Sequence, residues 1–245
     1  MAESGETAKD RYDGALFIPS GGPVWHWRAL LRQWHWAAFK AELAGHLKEW
    51  KPPSEHLLVL GPSAGWCLPS AFLAQFRTID AVDIDPLAPA LFRFNHGLAL
   101  ARSGTRIRFH KLNVFHEFDT ILNDHPDHAI LFSNMLGQHL FHDENETRAR
   151  ATIESVKGKL TARHWASFHD RLSGFYARGT PLPISRQSQT AFEGAALATE
   201  LGLSGQWLDH LTAHVLPEGT LRHLIAWPLL ADWLHSVEFG VVEPR

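Results

Sequence analysis

Residues 57–65 read Leu57-Leu58-Val59-Leu60-Gly61-Pro62-Ser63-Ala64-Gly65, an apolar run that empties into a glycine-bearing turn. A short unbroken run of this kind fits a strand buried on both faces, and the residues beyond it are spaced as a helix. Glycines at 61 and 65 let the backbone pass close to a ligand, while the following helix points its free amides and positive dipole end toward it. A tight strand-to-helix turn with no ligand has the same pattern, so the turn alone does not decide. The next strand adds the second half of the signal. It ends Ala81-Val82-Asp83-Ile84-Asp85-Pro86 and puts an acid at its tip, about 20 residues past the turn, where a carboxylate meets ribose hydroxyls. Asp83 is the expected ribose ligand. Asp85, just before Pro86, is expected to cap the helix that starts at residue 87.

Outward from this pair, short apolar runs alternate with longer helical stretches, the pattern of a sheet with crossover helices and mostly parallel strands. Strands are predicted over 56–60, 78–83, 106–111, 129–133, 165–169, 206–215 and 221–227, and helices over 68–76, 87–102, 118–123, 144–159 and 189–201. The last two strands flank Pro217-Glu218-Gly219-Thr220 and are expected to pair as an antiparallel hairpin at the edge. The predicted fold is α/β, a doubly wound, seven-stranded, mostly parallel sheet with an antiparallel C-terminal hairpin strand. Ahead of it, residues 1–10 are polar and charged and read as a disordered leader. Residues 24–50 carry Trp27, Leu30, Leu31, Trp34, Ala38 and Leu43 at helical spacing, and Lys51-Pro52-Pro53-Ser54 ends that helical arm. The expected division is a leader and arm over 1–53 and a cofactor-binding domain over 54–245.

The chain has 245 residues, 45% of them hydrophobic, enough for one sizeable core. With 23 Lys and Arg against 26 Asp and Glu, its net charge of −3 offers no polycation, so an obligate nucleic-acid partner is not expected. The single cysteine, Cys67, closes no internal disulfide, no signal peptide opens the chain, and no apolar run approaches the roughly 20 residues that span a bilayer. A soluble cytoplasmic protein with no membrane partner is expected.

The glycine turn and the acid at the second strand tip resemble those of class I S-adenosylmethionine-dependent methyltransferases, which have a Rossmann-like fold. The resemblance runs over about residues 56–227 and extends to the order of strands and helices, ending in a hairpin. It implies S-adenosyl-L-methionine as cofactor, with Gly61, Ser63 and Gly65 along its methionine moiety and Asp83 on its ribose. It further implies Asn113 and Val114 beside adenine, and residues 133–136 closing the pocket near the transferred methyl. Asn134 is open to two readings, hydrogen bonding to cofactor or substrate, or ending its strand. The chain departs from the family's usual loop in lacking an acid near its start and in carrying Ser63 where glycine is common. Asn113 replaces a common aspartate, and its side-chain oxygen still accepts a hydrogen bond. The segment Ser133-Asn134-Met135-Leu136 lacks the Asn-Pro-Pro-aromatic motif of enzymes that methylate exocyclic nitrogens of bases.

Ligands of such sheets lie outside the carboxyl ends of the strands, which brings forward His139, His142, Asp143, His169, Asp170, Arg171 and Tyr176. His169 is the first candidate for a general base and His139 the second, since imidazole titrates near neutrality. His142, Arg171 and Tyr176 are expected to touch the acceptor. With 17 histidines in the chain, several fall near any site by chance. No metal is expected, because the spacing His139-Leu140-Phe141-His142 matches no known zinc signature. The repeated triplets Trp25-His26-Trp27 and Trp34-His35-Trp36 have two readings: an arm packed as core, or a lid whose Trp25 and Trp27 wall the substrate side. The function expected is methyl transfer to a small molecule or a protein side chain. Two alternatives stay open, a methyltransferase fold kept for binding only, and an aminopropyltransferase using decarboxylated S-adenosylmethionine.

Overall fold

The computed structural model describes residues 22–137, 146–177 and 185–245. Two helices, α1 (Gly22–Arg32) and α2 (Ala37–Glu49), precede β1 (His56–Leu60), α3 (Ser70–Leu73), β2 (Thr78–Val82), α4 (Ala88–Ser103), β3 (Arg106–His110), α5 (Phe118–Asp124) and β4 (Ala129–Ser133). The second half holds α6 (Glu146–Lys159), β5 (Trp165–Tyr176), β6 (Arg186–Ser188), α7 (Gly194–Glu200), β7 (Leu203–Asp209), β8 (Arg222–Pro228) and β9 (Trp233–Val242).

The nine strands among the described residues form one sheet in the order β3-β2-β1-β4-β5-β9-β8-β6, with β7 paired to β5 beside the end of β4. Strands β1 to β5 and β8 run one way, while β6, β7 and β9 run the other. The doubly wound sheet with antiparallel strands at its C-terminal end is as expected. The details differ: the sheet has nine strands where seven were expected, because β6 and β9 form from stretches whose polar residues hide a strand pattern. The hairpin is β8 with β9, and β9 lies inside the sheet between β5 and β8 instead of closing an edge. The strand expected over 206–215 is β7, which ends at Asp209, where Leu211 adopts a left-handed backbone and its amide donates to Asp209 Oδ1 at 2.7 Å. That turn sends the chain away from β8.

β1, β2 and β4 are central and lie almost wholly out of solvent, which is why their residues do not alternate. Alternate residues of each strand serve two cores. Leu57, Val59, Ile79, Phe168, Val237 and Phe239 meet α2, α3 and α4 on one face, whereas Leu58, Leu60, Val82, Phe132 and Trp165 meet α5 and α6 on the other. The arm belongs to the first core. Trp25 stacks on Trp36 with ring centroids 5.8 Å apart, and both meet the edge or face of Trp227 of β8 at 6.2 and 5.2 Å. The single helix expected over 24–50 is broken at residues 33–36, and that break is what brings Trp25 and Trp36 onto the same indole. Trp27 and Trp34 stay 64% and 68% exposed on the outer side of the arm. No helix among the described residues is long and apolar enough to cross a membrane.

Candidate functional site

The turn after β1 is built from alternating left-handed residues, Gly61 at φ 68°, Ser63 at 51° and Gly65 at 68°. The Ser63 amide donates to Asp83 Oδ2 at 2.6 Å, and the Asp85 amide donates to Asp83 Oδ1 at 2.8 Å. The acid at the tip of β2 is thus bound directly to the glycine turn. Burial pushes the Asp83 carboxyl above its ordinary range, against the pull of the Asp85 and Ser63 amides. The glycines also serve the protein's own packing. A Cβ on Gly61 would lie 2.8 Å from Met135 Cβ, and one on Gly65 would lie 2.5 Å from His96 Nε2. His96 clamps the turn from α4, its Nε2 3.0 Å from the Gly65 carbonyl and its Nδ1 2.8 Å from Ser70 Oγ; burial lowers its pKa and keeps it neutral. Asn95 adds a donor to the Ala64 carbonyl at 2.8 Å.

Asp85 does more than the cap expected of it. Its Oδ1 accepts the Leu87 amide at 2.9 Å, just before α4 begins, while its Oδ2 accepts the Gly22 amide at 2.8 Å and meets His26 Nε2 at 2.9 Å. Burial opposes its ionisation, yet these hydrogen bonds hold its carboxyl below the usual range. Trp66 Nε1, from the glycine turn, donates to His26 Nδ1 at 3.1 Å, so His26 carries its proton on Nε2 and gives it to Asp85. The start of the arm is fastened to both halves of the predicted cofactor signal.

At the carboxyl end of β4, Asn134 is left-handed, with φ 53°. Its Oδ1 accepts the Asp170 amide at 3.0 Å and its Nδ2 donates to Asp170 Oδ2 at 3.2 Å, so Asn134, the first residue past β4, ends that strand as one of its two readings has it and also ties β4 to β5. Asp170 Oδ1 takes a hydrogen bond from His235 Nδ1 at 3.0 Å, and His235 Nε2 accepts Trp233 Nε1 at 3.1 Å. His210 joins them, its Nε2 3.0 Å from Ser173 Oγ. Burial disfavours the charge on Asp170, but His235 outweighs it and the carboxyl titrates low; desolvation pushes His210 down to about 4. Desolvation, with the Asp170 charge adding to it, pushes the Cys67 thiol up to about 12, which leaves it unreactive at neutral pH.

Several residues expected at the mouth are elsewhere. His169 lies in the middle of β5 with no solvent exposure, its Nδ1 2.9 Å from Ser167 Oγ and its Nε2 3.2 Å from Glu238 Oε2, which also takes Arg222. Because β5 runs to residue 176, His169 is not at a strand end, and it faces away from Asp170. Arg171 is buried as well, bound to Asp209 and to the Phe192 carbonyl at 3.1 Å, so it pins β7 and does not meet an acceptor. Tyr176 ends β5, six residues and roughly 20 Å beyond Asp170. Trp25 is core, whereas Trp27 is exposed. The Asn113 side-chain oxygen accepts the Phe115 and His116 amides at 3.1 and 3.3 Å, capping the turn into α5, and Val114 is buried in the second core. His139, His142 and Asp143 fall outside the described residues. Of the cluster of Asp170, His210 and His235, Asp170 was expected at the mouth and the two histidines were missed; their one signal in the sequence is polar residues, such as His235, lodged in or beside otherwise apolar strands.

No family model and no curated protein matches the chain. Solved structures do. A SAM-dependent methyltransferase from Anabaena variabilis matches at 13% identity and a TM-score of 0.46, over 93% of this chain and 98% of its own. Magnesium protoporphyrin IX methyltransferase from Synechocystis, with S-adenosylhomocysteine bound, matches at 13% and 0.43 over 94% and 92%. An O-methyltransferase family protein from Burkholderia thailandensis matches at 13% and 0.43 over 84% of this chain, which spans 57% of that protein's length. The chain's own topology is five parallel strands in the order β3-β2-β1-β4-β5 with a late strand inserted antiparallel beside β5, a doubly wound α/β sheet.

Proposed function

We propose that this chain binds S-adenosylmethionine between the glycine turn, Asp83 and the loop after β4, and transfers its methyl group to a small molecule or a protein side chain. The observation that carries the reading is the 2.6 Å hydrogen bond from the Ser63 amide to Asp83, which joins turn and acid at the carboxyl ends of β1 and β2. Asp83 would hold the ribose hydroxyls and the turn's backbone the methionine end. The cofactor supplies an electrophilic methyl on sulfur. What the chain must provide is a site cleared of water that would align the acceptor's lone pair with the S–CH₃ bond. Asp170, through Asn134, sets the position of the loop beside that methyl and is a positioning residue in this scheme. The arm, latched by His26 to Asp85, walls the entrance. A reducing, cytoplasmic setting suits its free Cys67.

A second reading, the fold kept for binding without transfer, is favoured by Met135, which packs directly over Gly61. Calorimetric titration with S-adenosylmethionine and S-adenosylhomocysteine tests the proposal. Binding of both, lost in Asp83→Ala, is expected; no heat with either ligand would overturn it. Binding without release of labelled methyl to any acceptor in a fractionated extract would favour the second reading.

A further inference from the structure

A second cluster lies on the sheet face away from the arm. Asp80 sits in the middle of β2, where every residue is buried, and a carboxylate in such a strand is costly unless it is paired. Its Oδ1 is 2.8 Å from His110 Nε2 at the end of β3, and its Oδ2 is 3.1 Å from His128 Nε2 just before β4. His125 completes the group, its ring 5.4 Å from that of His110 and 4.7 Å from that of His128. One ligand atom each from Asp80, His110 and His125 lies within 4.8 Å of the others. The turn that carries His125 and His128 is held by Arg163, whose Nη2 donates to both their carbonyls at 2.5 and 3.1 Å. With His128 Nε2 turned to Asp80, its Nδ1 is buried and has no partner among the described residues.

We propose that Asp80, His110 and His125 form a binding site for one divalent transition-metal ion of the zinc class, with His128 holding the Asp80 carboxylate, a role that goes beyond methyl transfer. One carboxylate and two imidazoles, with water in the fourth position, make a mixed nitrogen and oxygen set that zinc takes in tetrahedral geometry, and nickel and cobalt accept the same donors. The ion would tie β2 and β3 to the turn between α5 and β4. Asp80 also lies three residues before Asp83, on the strand that positions the proposed ribose ligand.

The metal-free full-length chain, titrated with zinc sulfate by calorimetry and with cobalt followed by visible absorption, tests this. One tight equivalent, an intense tetrahedral cobalt spectrum and a higher melting temperature are expected. His125→Gln and His110→Gln, both at partly exposed positions, should each weaken binding by more than about 100-fold, beyond what loss of an outer-shell partner costs. Circular dichroism reports whether each is folded, and either one suffices. His46→Gln should leave the equivalent in place. Absence of a tight equivalent would overturn the proposal, as would one that survives both ligand variants or disappears instead with His210→Gln in the other histidine cluster.

Discussion

His26 on α1 donates from Nε2 to Asp85 Oδ2 at 2.9 Å across 59 residues of sequence, and the same ring accepts the indole of Trp66 from the glycine turn. One imidazole thereby joins the arm, the tip of β2 and the turn after β1. Replacing it with leucine leaves a buried carboxylate and a buried indole N–H short of a partner, at a cost of about 1–3 kcal/mol for each group stranded. His26→Leu is expected to lower the melting temperature and to weaken S-adenosylhomocysteine binding. Unchanged values of both would show that the latch does nothing for the mouth.

Asp83→Ala should weaken S-adenosylhomocysteine by about 1.5–3 kcal/mol, the scale of a charge-assisted hydrogen bond. The affinity should also fall on the acid side. Burial raises this carboxyl's pKa, so it is protonated at a higher pH than an ordinary aspartate and loses its acceptor character there. Calorimetry across the acid range checks both, and a pH profile identical in wild type and Asp83→Ala would count against the ribose role.

Gly65→Ala is expected to destabilise the fold itself. The left-handed backbone costs a side chain about 1–3 kcal/mol, and the new Cβ meets His96 at 2.5 Å, adding about 1–3 kcal/mol of overpacking. Ser63→Gly should do the reverse and stabilise by about 1 kcal/mol, since Ser63 already sits at φ 51°. Urea melts of the two variants should move in opposite directions; a shift of both to lower midpoints would refute the strain argument for Ser63.

The tryptophans of the arm divide by burial. Trp36→Ala removes an indole packed on Trp25 and Trp227 and should cost about 3–5 kcal/mol. Trp27→Ala, at a position 64% exposed, should stay within about 0.5 kcal/mol. Deleting residues 1–36 is therefore expected to uncover the Trp227 face and cause aggregation. A soluble, cooperatively melting deletion would contradict that.

Stability should fall as pH drops below about 6.5. His210 is held neutral in the fold, with a pKa near 4, by desolvation; the charges of Asp170 and Asp209 oppose this, and His235 and Arg171 reinforce it. Between those values the unfolded chain binds a proton that the folded chain refuses, so acid favours unfolding, by up to about 3 kcal/mol from this residue. Asp170, whose folded pKa lies below the ordinary value, extends the loss to still lower pH. Urea melts at about pH 7 and about pH 5 should show the decline, and His210→Gln should flatten it. An equal slope in wild type and variant would remove His210 as its source.

Much of the molecule was legible along the chain. The apolar runs of β1, β2 and β4, the glycine turn and Asp83 follow from local period and spacing, because a central parallel strand is buried by its own neighbours and a strand-to-helix turn needs left-handed residues. Asp83 and the turn are joined as that spacing implies. β9 was not legible, because His235, Ser236 and Glu238 break its apolar run. They are tolerated inside the sheet only through partners such as Asp170, 65 residues from His235, and His169, 69 residues from Glu238. The same long-range pairing withdrew His169 and Arg171 from the mouth, turned Asp85 toward the arm, and gathered His110, His125 and His128 around Asp80. A run of residues states its own period and its turns. Which buried charge meets which imidazole depends on how strands distant in sequence come to lie side by side, and only the assembled sheet decides that.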